Sequence, residues 1–382
     1  MVETLPARGP VVLQVLPALQ TGGVERGTIE ITQAITEAGG TALVASAGGR
    51  LVSAIERAGG RHIAMPLNTK DPLNIWLNAR RLAKLIRVEH VDIVHARSRA
   101  PAWSAFWAAR STGAHFITTY HGAYGEDLPF KRRYNAVMAR GERVIAISRF
   151  IAGLITARHA VDPTRIRVIP RGVDPAIFDP DIIVPDRLAR LARSWRLPDG
   201  VRTVMLPGRL TRWKGQEVLI DAIAQLPGAD IVCVLVGSDQ GRRRYAAGLV
   251  RRAEHLGIAN RLRLVGECDD MPAAMMLADV VVSASIKPEA FGRVVIEAQA
   301  MGRPVVATDH GGAAETVEQG LTGWRVPPGN PAALASALQV ALGLPADQRA
   351  ALGERARAAV QSGYTTRAMQ EATIDVYREL LG

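Results

Sequence analysis

The sequence contains little cysteine, few aromatic residues and no long apolar run. Its 382 residues include two cysteines, Cys233 and Cys268, and the aromatic share is 5%. Two cysteines this far apart support neither a disulfide framework nor a CxxC-type zinc site. Charged residues interrupt every apolar stretch before the roughly 18 residues that a membrane-spanning helix needs. Residues 1–10 lack a signal-peptide pattern, so we expect a cytoplasmic protein without a membrane span.

Acidic residues are fewer than basic ones, and the imbalance lies in the first half of the chain. Residues 1–180 hold 23 Lys and Arg against 14 Asp and Glu, a net charge of +9, out of +11 for the whole chain. A basic half favours an anionic partner such as nucleic acid, an acidic membrane surface or a phosphorylated small molecule. A solvated, arginine-rich surface explains the same excess, so composition leaves both alternatives open.

Short β-rich apolar runs recur along the chain at intervals that leave room for a helix between them. Because the runs are apolar on both sides, they predict parallel strands covered by helices, in two doubly wound α/β sheets. The Pro-rich, charged segment 171–200 predicts a linker or hinge, with a domain boundary near residue 172. The runs cover 11–16, 42–46, 62–67, 91–95, 115–120, 144–147 and 166–169, then 204–206, 231–236, 262–265, 280–283, 305–308 and 323–326.

The segment 287–304 follows a predicted strand and carries two acids around a predicted helix start. The helix should begin near Phe291 or Gly292, and the first backbone amides of a helix form a phosphate site. Glu297 would lie about a turn and a half along the helix, where a carboxylate can accept ribose hydroxyl hydrogen bonds. In the alternative interpretation, Glu289 is a favourable acid at a helix start and Glu297 is solvated. The amides in question belong to Gly292, Arg293 and Val294.

Three further strand-end segments carry candidate ligand-binding groups. Arg209 and Lys214 follow the first strand of the second half, where two cations can clamp a diphosphate; surface charge on a loop is the alternative. The run 21–27 contains Gly22 and Gly23, which allow close backbone approach to a phosphate, although a plain strand-to-helix turn fits as well. His121 ends another strand and could donate to a sugar hydroxyl or be satisfied within its loop.

Other motifs have weaker chemical interpretations. Asp179 and Asp181 have the spacing of a DxD metal motif but lie in the Pro-rich segment, so no metal site is inferred. Ser148 is predicted to cap a helix rather than to act as a nucleophile. Aromatic residues at helical spacing between arginines predict either a core face or a surface that rests on an acidic bilayer. These aromatic residues are Trp103, Phe106 and Trp107.

With these residues the chain resembles glycosyltransferase family 4, the retaining nucleotide-sugar enzymes of the GT-B fold. The similarity extends over nearly the whole chain. Within the family, the chain resembles the enzymes that build lipopolysaccharide core and envelope polysaccharides. The motifs that carry it are Glu289-x7-Glu297, Gly208-Arg209 with Lys214-Gly215, Gly237, Ala278-Asp279, Gly302-Arg303-Pro304 and Gly311-Gly312, with weaker matches at Gly22-Gly23-Val24-Glu25, Ile147-Ser148 and Gly172-Val173-Asp174.

The resemblance implies two Rossmann-like domains facing across a cleft. Residues 1–171 would form the acceptor-side domain, with a closing helix at 366–382 packing back on it, and residues 172–365 would bind the nucleotide sugar. It also implies that no metal or other cofactor is needed. By the same resemblance, Arg209 and Lys214 would bind the diphosphate, Glu297 the ribose and Glu289 the transferred sugar. Gly22 and Gly23 would face the diphosphate, and His121 would lie beside the sugar.

The resemblance thus predicts a retaining hexosyltransferase that uses a UDP-sugar more readily than a GDP-sugar. The acceptor would be an envelope glycan or glycolipid, with peripheral contact to an anionic membrane and no nucleic acid partner. Two other readings stay open, namely a GT-B epimerase or phosphorylase and a catalytically silent sugar- or nucleic-acid-binding protein. The sequence departs from the family at Arg171, where Asn is common, and at Pro288, Ala290 and Arg293, which leaves the donor sugar open.

Overall fold

The computed structural model describes residues 9–20, 22–126, 129–228 and 230–382. Most of the N-terminal segment used to assess a signal peptide, and Thr21 of the glycine run, lie outside the described residues. The chain divides into two compact units. Unit 1 combines Met1–Arg171 with Thr366–Gly382, and unit 2 holds Gly172–Thr365.

Unit 1 is built on a seven-stranded parallel sheet with strand order β3-β2-β1-β4-β5-β6-β7. Strand β1, which lies between β2 and β4, is buried at all five positions, as expected for an apolar run covered on both faces. The strands are β1 (Val11–Val15), β2 (Thr41–Ser46), β3 (Arg61–Ala64), β4 (Ile93–Ala96), β5 (His115–Tyr120), β6 (Arg143–Ala146) and β7 (Ile166–Val168).

Helices follow the strands of unit 1 in alternation. Ser148 caps α6, because its hydroxyl accepts a hydrogen bond from the Ile151 amide at 3.1 Å, which confirms the predicted capping role. The helices are α1 (Gly23–Glu37), α2 (Val52–Arg57), α3 (Pro72–Val88), α4 (Arg99–Thr112), α5 (Pro129–Asn135) and α6 (Arg149–His159).

Unit 2 repeats the plan with a six-stranded parallel sheet in the order β10-β9-β8-β11-β12-β13. Both sheets match the predicted runs, so the predicted pair of doubly wound α/β sheets is confirmed. The strands are β8 (Arg202–Pro207), β9 (Ile231–Val236), β10 (Leu262–Gly266), β11 (Val280–Ser283), β12 (Val305–Thr308) and β13 (Trp324–Val326). The helices are α7 (Pro185–Ser194), α8 (Gln216–Ala224), α9 (Arg243–His255), α10 (Met271–Leu277), α11 (Arg293–Ala300), α12 (Pro331–Leu342) and α13 (Ala346–Gly363).

The last helix, α14 (Thr366–Leu381), returns to unit 1. Its apolar stripe, which includes Met369 and Val376, packs with Ile31 and Ile35 of α1 in one buried cluster. The Tyr377 ring is 2% exposed, and its hydroxyl lies 2.7 Å from His95 Nδ1. The amphipathic pattern of the segment is therefore satisfied by the core of unit 1.

The interpretation of 171–200 as a linker is wrong for most of the segment. Residues from Gly172 onward belong to unit 2, and α7 lies within them. Arg187 of α7 pairs with Asp270 at 2.7 Å, and Trp195 is 6% exposed. The prediction treats the prolines as residues that interrupt helices. Pro185, however, occupies the first turn of α7, where a helix tolerates the missing amide hydrogen.

Candidate active site

Lys214 and Glu289 form a partly buried ion pair beside the carboxyl ends of β8 and β11. Lys214 Nζ lies 2.7 Å from Glu289 Oε1, and the two side chains are 14% and 13% exposed. Lys214 also lies over the Trp213 ring, 4.7 Å from its centroid. The sequence placed these groups 75 residues apart in two separate motifs, and the sheet order brings them together. Ligands of open α/β sheets bind at this edge.

Glu289 is held as a carboxylate by its neighbours. The Ser285 hydroxyl donates to Glu289 Oε1, and the Ser283 hydroxyl donates to it at 3.4 Å. Burial alone would raise the pKa of Glu289, but the attraction of Lys214 and these hydrogen bonds together lower it below the usual value. Glu289 is therefore ionised at neutral pH and can accept hydrogen bonds from hydroxyl groups.

The loop that follows β12 contacts the backbone of the Glu289 loop and holds it in place. The Gly312 amide donates to Glu289 O at 2.8 Å. Gly311 has φ +66°, and a β-carbon there would lie 2.5 Å from Glu289 O. Only glycine combines this backbone conformation with so close an approach. The glycine pair thus sets the position of the acid.

Helix α11 starts where the sequence predicted. Gly292 caps it and Arg293 is its first residue, so the predicted start near Phe291 or Gly292 is confirmed. Phe291 is 4% exposed and packs against Tyr364 with ring centroids 5.9 Å apart. The first amides of an α-helix have no intrahelical acceptor, so this end, which includes the Val294 amide, carries partial positive charge suited to a phosphate.

Glu297 is buried in α11. It is 7% exposed, and Arg293 Nε lies 3.3 Å from its Oε1, one turn earlier. The alternative of a solvated Glu297 is therefore wrong. The Arg293 contact shows that this departure from the family pattern touches the acid to which the resemblance assigns the ribose.

Arg209 lies on the same loop as Lys214 but is exposed. The loop backbone is held by Gln216, whose side-chain amide donates to Arg209 O at 3.0 Å, and Tyr245 OH donates to Gln216 at 3.1 Å. Arg212, on the same loop, is also exposed. The two cations of the predicted clamp thus lie in different environments: Lys214 is paired and partly buried, whereas Arg209 is exposed to solvent.

Unit 1 brings together its own predicted site residues. Gly22 and Gly23 follow β1 at the start of α1, and both are exposed. His121 follows β5, and Arg171 Nη2 lies 2.9 Å from its Nδ1 and 3.0 Å from Gly23 O. Burial, followed by the charges of Arg171 and Arg97, holds the pKa of His121 well below its ordinary value. The imidazole is therefore neutral at neutral pH.

Sequence reasoning missed the supporting residues Ser285, His310 and Gln216. Ser285 binds Glu289 directly, and the His310 ring lies 2.7 Å from Ser285 O. The position of Ser285 just beyond a predicted strand was a usable signal, because side chains there face the crevice. Neither His310 nor Gln216 lies in a motif that marks it, and their roles depend on contacts between distant segments.

Two family models match consecutive parts of the chain. The model described as Glycosyltransferase Family 4 matches residues 21–177, and the model described as Glycosyl transferases group 1 matches residues 189–359. A D-inositol 3-phosphate glycosyltransferase of Mycobacterium bovis is 33% identical over 248 residues, 64% of this chain and 50% of that protein. The chain spans about half the length of the curated relatives that it matches.

Solved structures resemble the whole chain. A glycosyltransferase from Rickettsia africae is 38% identical with a TM-score of 0.89, covering 97% of this chain and 98% of its own. Anabaena HepE, solved in complex with UDP-glucose, is 25% identical with a TM-score of 0.84, covering 97% and 99% of the two chains. This near-complete coverage at 38% identity, with both halves matched by glycosyltransferase models, shows that the chain belongs to the family 4 glycosyltransferases of the GT-B fold.

Proposed function

We propose that the protein is a retaining, metal-independent hexosyltransferase that uses a UDP-sugar. The observation that carries the proposal is the partly buried Lys214–Glu289 pair at the carboxyl edge of the unit 2 sheet. Lys214 supplies a cation for a diphosphate, and Glu289 supplies a carboxylate for sugar hydroxyls. The start of α11, which follows Glu289 in the chain, supplies backbone amides for phosphate oxygens. The Anabaena protein that binds UDP-glucose supports the choice of UDP.

In the proposed reaction, the bond between the anomeric carbon and the β-phosphate oxygen breaks as the acceptor hydroxyl attacks from the same face. The hydroxyl proton passes to an oxygen of the departing phosphate, so UDP leaves and the anomeric configuration is retained. Lys214, Arg209 and the start of α11 stabilise the charge that develops on the diphosphate. Glu289 orients the sugar through its hydroxyl groups, and Glu297 binds the ribose. These groups perform the neutralisation that a divalent cation would otherwise provide.

The proposed acceptor is an envelope glycan or glycolipid, such as lipopolysaccharide core, held by the basic unit 1. Residues 1–180, which contain all of unit 1 except its last helix together with the first residues of unit 2, have a net charge of +9, and this supports an acceptor that carries phosphate or carboxylate groups. The curated relatives act, by their names, on D-inositol 3-phosphate, a small phosphorylated polyol. Both acceptors are hydroxyl compounds with an anionic group, so the acceptor assay needs to include both.

We also propose a peripheral membrane contact through unit 1. Trp107 of α4 is 43% exposed and Phe130 of α5 is 81% exposed, beside Lys131 and Arg132. Exposed aromatic side chains next to cations suit the interface of an anionic bilayer. No helix in the described ranges is both long and apolar enough to cross a membrane.

Turnover by the purified full chain tests the proposal. UDP- and GDP-sugars are first screened by thermal shift, since a ligand that binds the native state raises the unfolding temperature. The donors that bind are then incubated with lipopolysaccharide core or inositol phosphate, and UDP release and the product's anomeric configuration are measured in the presence of EDTA. We expect acceptor-dependent transfer with retention. Products formed without acceptor, or only with inorganic phosphate, would indicate an epimerase or a phosphorylase instead.

Vesicle co-sedimentation tests the membrane contact separately. The chain is expected to sediment with vesicles that contain anionic lipid and to stay in the supernatant with neutral vesicles. A Phe130→Ser, Trp107→Ser variant should lose most of this binding, whereas Leu321→Ser, which changes an exposed apolar residue of unit 2, should keep it. Binding that does not depend on the anionic lipid content of the vesicles would contradict the proposed contact.

A further inference from the structure

One guanidinium nitrogen joins two predicted site segments of unit 1. Arg171 is 6% exposed, and its Nη2 donates to Gly23 O at 3.0 Å while lying 2.9 Å from His121 Nδ1. A terminal guanidinium nitrogen carries two hydrogens, so both contacts can be hydrogen bonds at once. Arg171 therefore connects the glycine loop after β1 with the histidine after β5.

This contact determines which ring nitrogen of His121 carries the proton. A guanidinium has donors and no acceptor, so His121 Nδ1 must accept with its lone pair. In a neutral imidazole the proton then sits on Nε2. His121 Nε2 is buried and has no hydrogen-bond partner within the described part of the chain. The ring thus holds a donor for which the described residues supply no acceptor.

We propose that Arg171 is a positioning residue that fixes His121 as the Nε2–H tautomer, so that the ring donates a hydrogen bond to an oxygen of the substrate. This inference rests on the proposed glycosyltransfer and deepens it. An asparagine at this position could not impose the same tautomer, because its amide can either donate or accept. A fixed tautomer thus requires a side chain that can only donate, as that of Arg171 does.

A second buried arginine allows the hydrogen bond to be separated from the charge. Arg97 is 2% exposed, and burial lowers its pKa to about 10, so it remains charged at neutral pH. A β-carbon built on Gly27 would lie 2.1 Å from Arg171 Nη1 and 3.0 Å from Arg97 Nη2, so both guanidinium groups lie over the same part of α1. Both charges disfavour protonation of His121, but only Arg171 is hydrogen-bonded to the ring.

The experiment measures the His121 tautomer by long-range ¹H–¹⁵N correlation spectra of the full chain with labelled histidine. His121→Gln assigns the signal among the eight histidines. The variants are Arg171→Met, Arg171→Lys and, as the matched control, Arg97→Met. We expect Nε2–H in the native chain, in Arg171→Lys and in Arg97→Met, and a mixture of tautomers in Arg171→Met. Transfer by Arg171→Met should fall roughly tenfold in kcat/KM, with partial rescue in Arg171→Lys.

The outcomes separate this inference from the proposed function. Nδ1–H in the native chain, or an unchanged tautomer and rate in Arg171→Met, would overturn the role of Arg171. Equal tautomer mixing in Arg97→Met and Arg171→Met would assign the effect to charge and overturn it too. Because the spectra need no turnover, the expected tautomers in a chain that transfers no sugar would leave the positioning role standing and reject the function. If Arg171→Met does not fold, the native tautomer and the Arg171→Lys rate decide the question.

Discussion

Lys214 Nζ and Glu289 Oε1 lie 2.7 Å apart in the crevice of unit 2, although 75 residues separate them in the chain. Each charge is mostly removed from water, so each depends on the other for compensation. A donor diphosphate would offer Lys214 a second anion, while Glu289 keeps its hydrogen bonds from Ser283 and Ser285. The pair can therefore stabilise the crevice and still contact a donor that binds there.

Glu289→Gln should remove most turnover and destabilise unit 2. The substitution leaves a largely buried ammonium without its carboxylate, which costs about 3 kcal/mol of unfolding free energy, the lower end of the range for breaking a buried ion pair. Urea unfolding and UDP release measure the two effects. Glu254→Gln on the exposed face of α9 is the control and should change neither. Full activity in Glu289→Gln would reject the proposed role of the carboxylate.

The stabilisation from Glu289 should disappear in acid. Its pKa is lower in the folded chain than the value of about 4.3 for an unfolded Glu, so the stabilisation is fully present above that value. It is lost as the pH falls through the depressed folded pKa. The difference in unfolding free energy between the native chain and Glu289→Gln, measured by urea titration from pH 7 downward, should shrink below about pH 4. A constant difference would contradict the lowered pKa.

Gly312→Ala should displace the Glu289 loop. A β-carbon at residue 312 would lie 2.4 Å from Ala290 O and 2.7 Å from Phe291 Cα, and backbone atoms cannot move aside as a flexible side chain can. We expect a loss of roughly tenfold or more in kcat/KM, because small displacements of a catalytic group are costly. The control is Gly363→Ala, where an added methyl group meets nothing within 4 Å. Equal kinetics in both variants would show that the loop tolerates the shift.

Tyr377→Phe should destabilise unit 1 without removing any apolar packing. The hydroxyl lies 2.7 Å from Nδ1 of the fully buried His95, whose other ring nitrogen lies 2.6 Å from Thr119 Oγ1. Loss of this partner leaves a buried ring nitrogen unsatisfied, at a cost of about 1–2 kcal/mol. Thermal or urea unfolding measures it. Arg378→Ala, on the exposed face of α14, should have an effect near zero. A similar loss in both variants would contradict the assignment of the effect to the buried hydrogen bond.

The local pattern of the sequence was enough to predict the strands, the start of α11 and the cap at Ser148. Each of these depends on residues within a few positions of one another, namely runs of β-branched side chains or a hydroxyl three residues before an amide. The same kind of local pattern gave a wrong prediction at Pro185, which begins a helix and not a linker. A proline favours a break and a first helical turn equally, and contacts such as Arg187 with Asp270 decide between them.

The sequence by itself determined which strand-end segments are candidates for the site, because the carboxyl ends of strands in a doubly wound sheet lie at one edge whatever the neighbouring strands are. Only the tertiary structure decided which groups meet. The pairing of Lys214 with Glu289 follows from β8 lying next to β11, and the tautomer of His121 follows from Arg171 reaching across from the end of β7. Such contacts join segments 50 or more residues apart, and their energies depend on burial, which no short window of sequence contains.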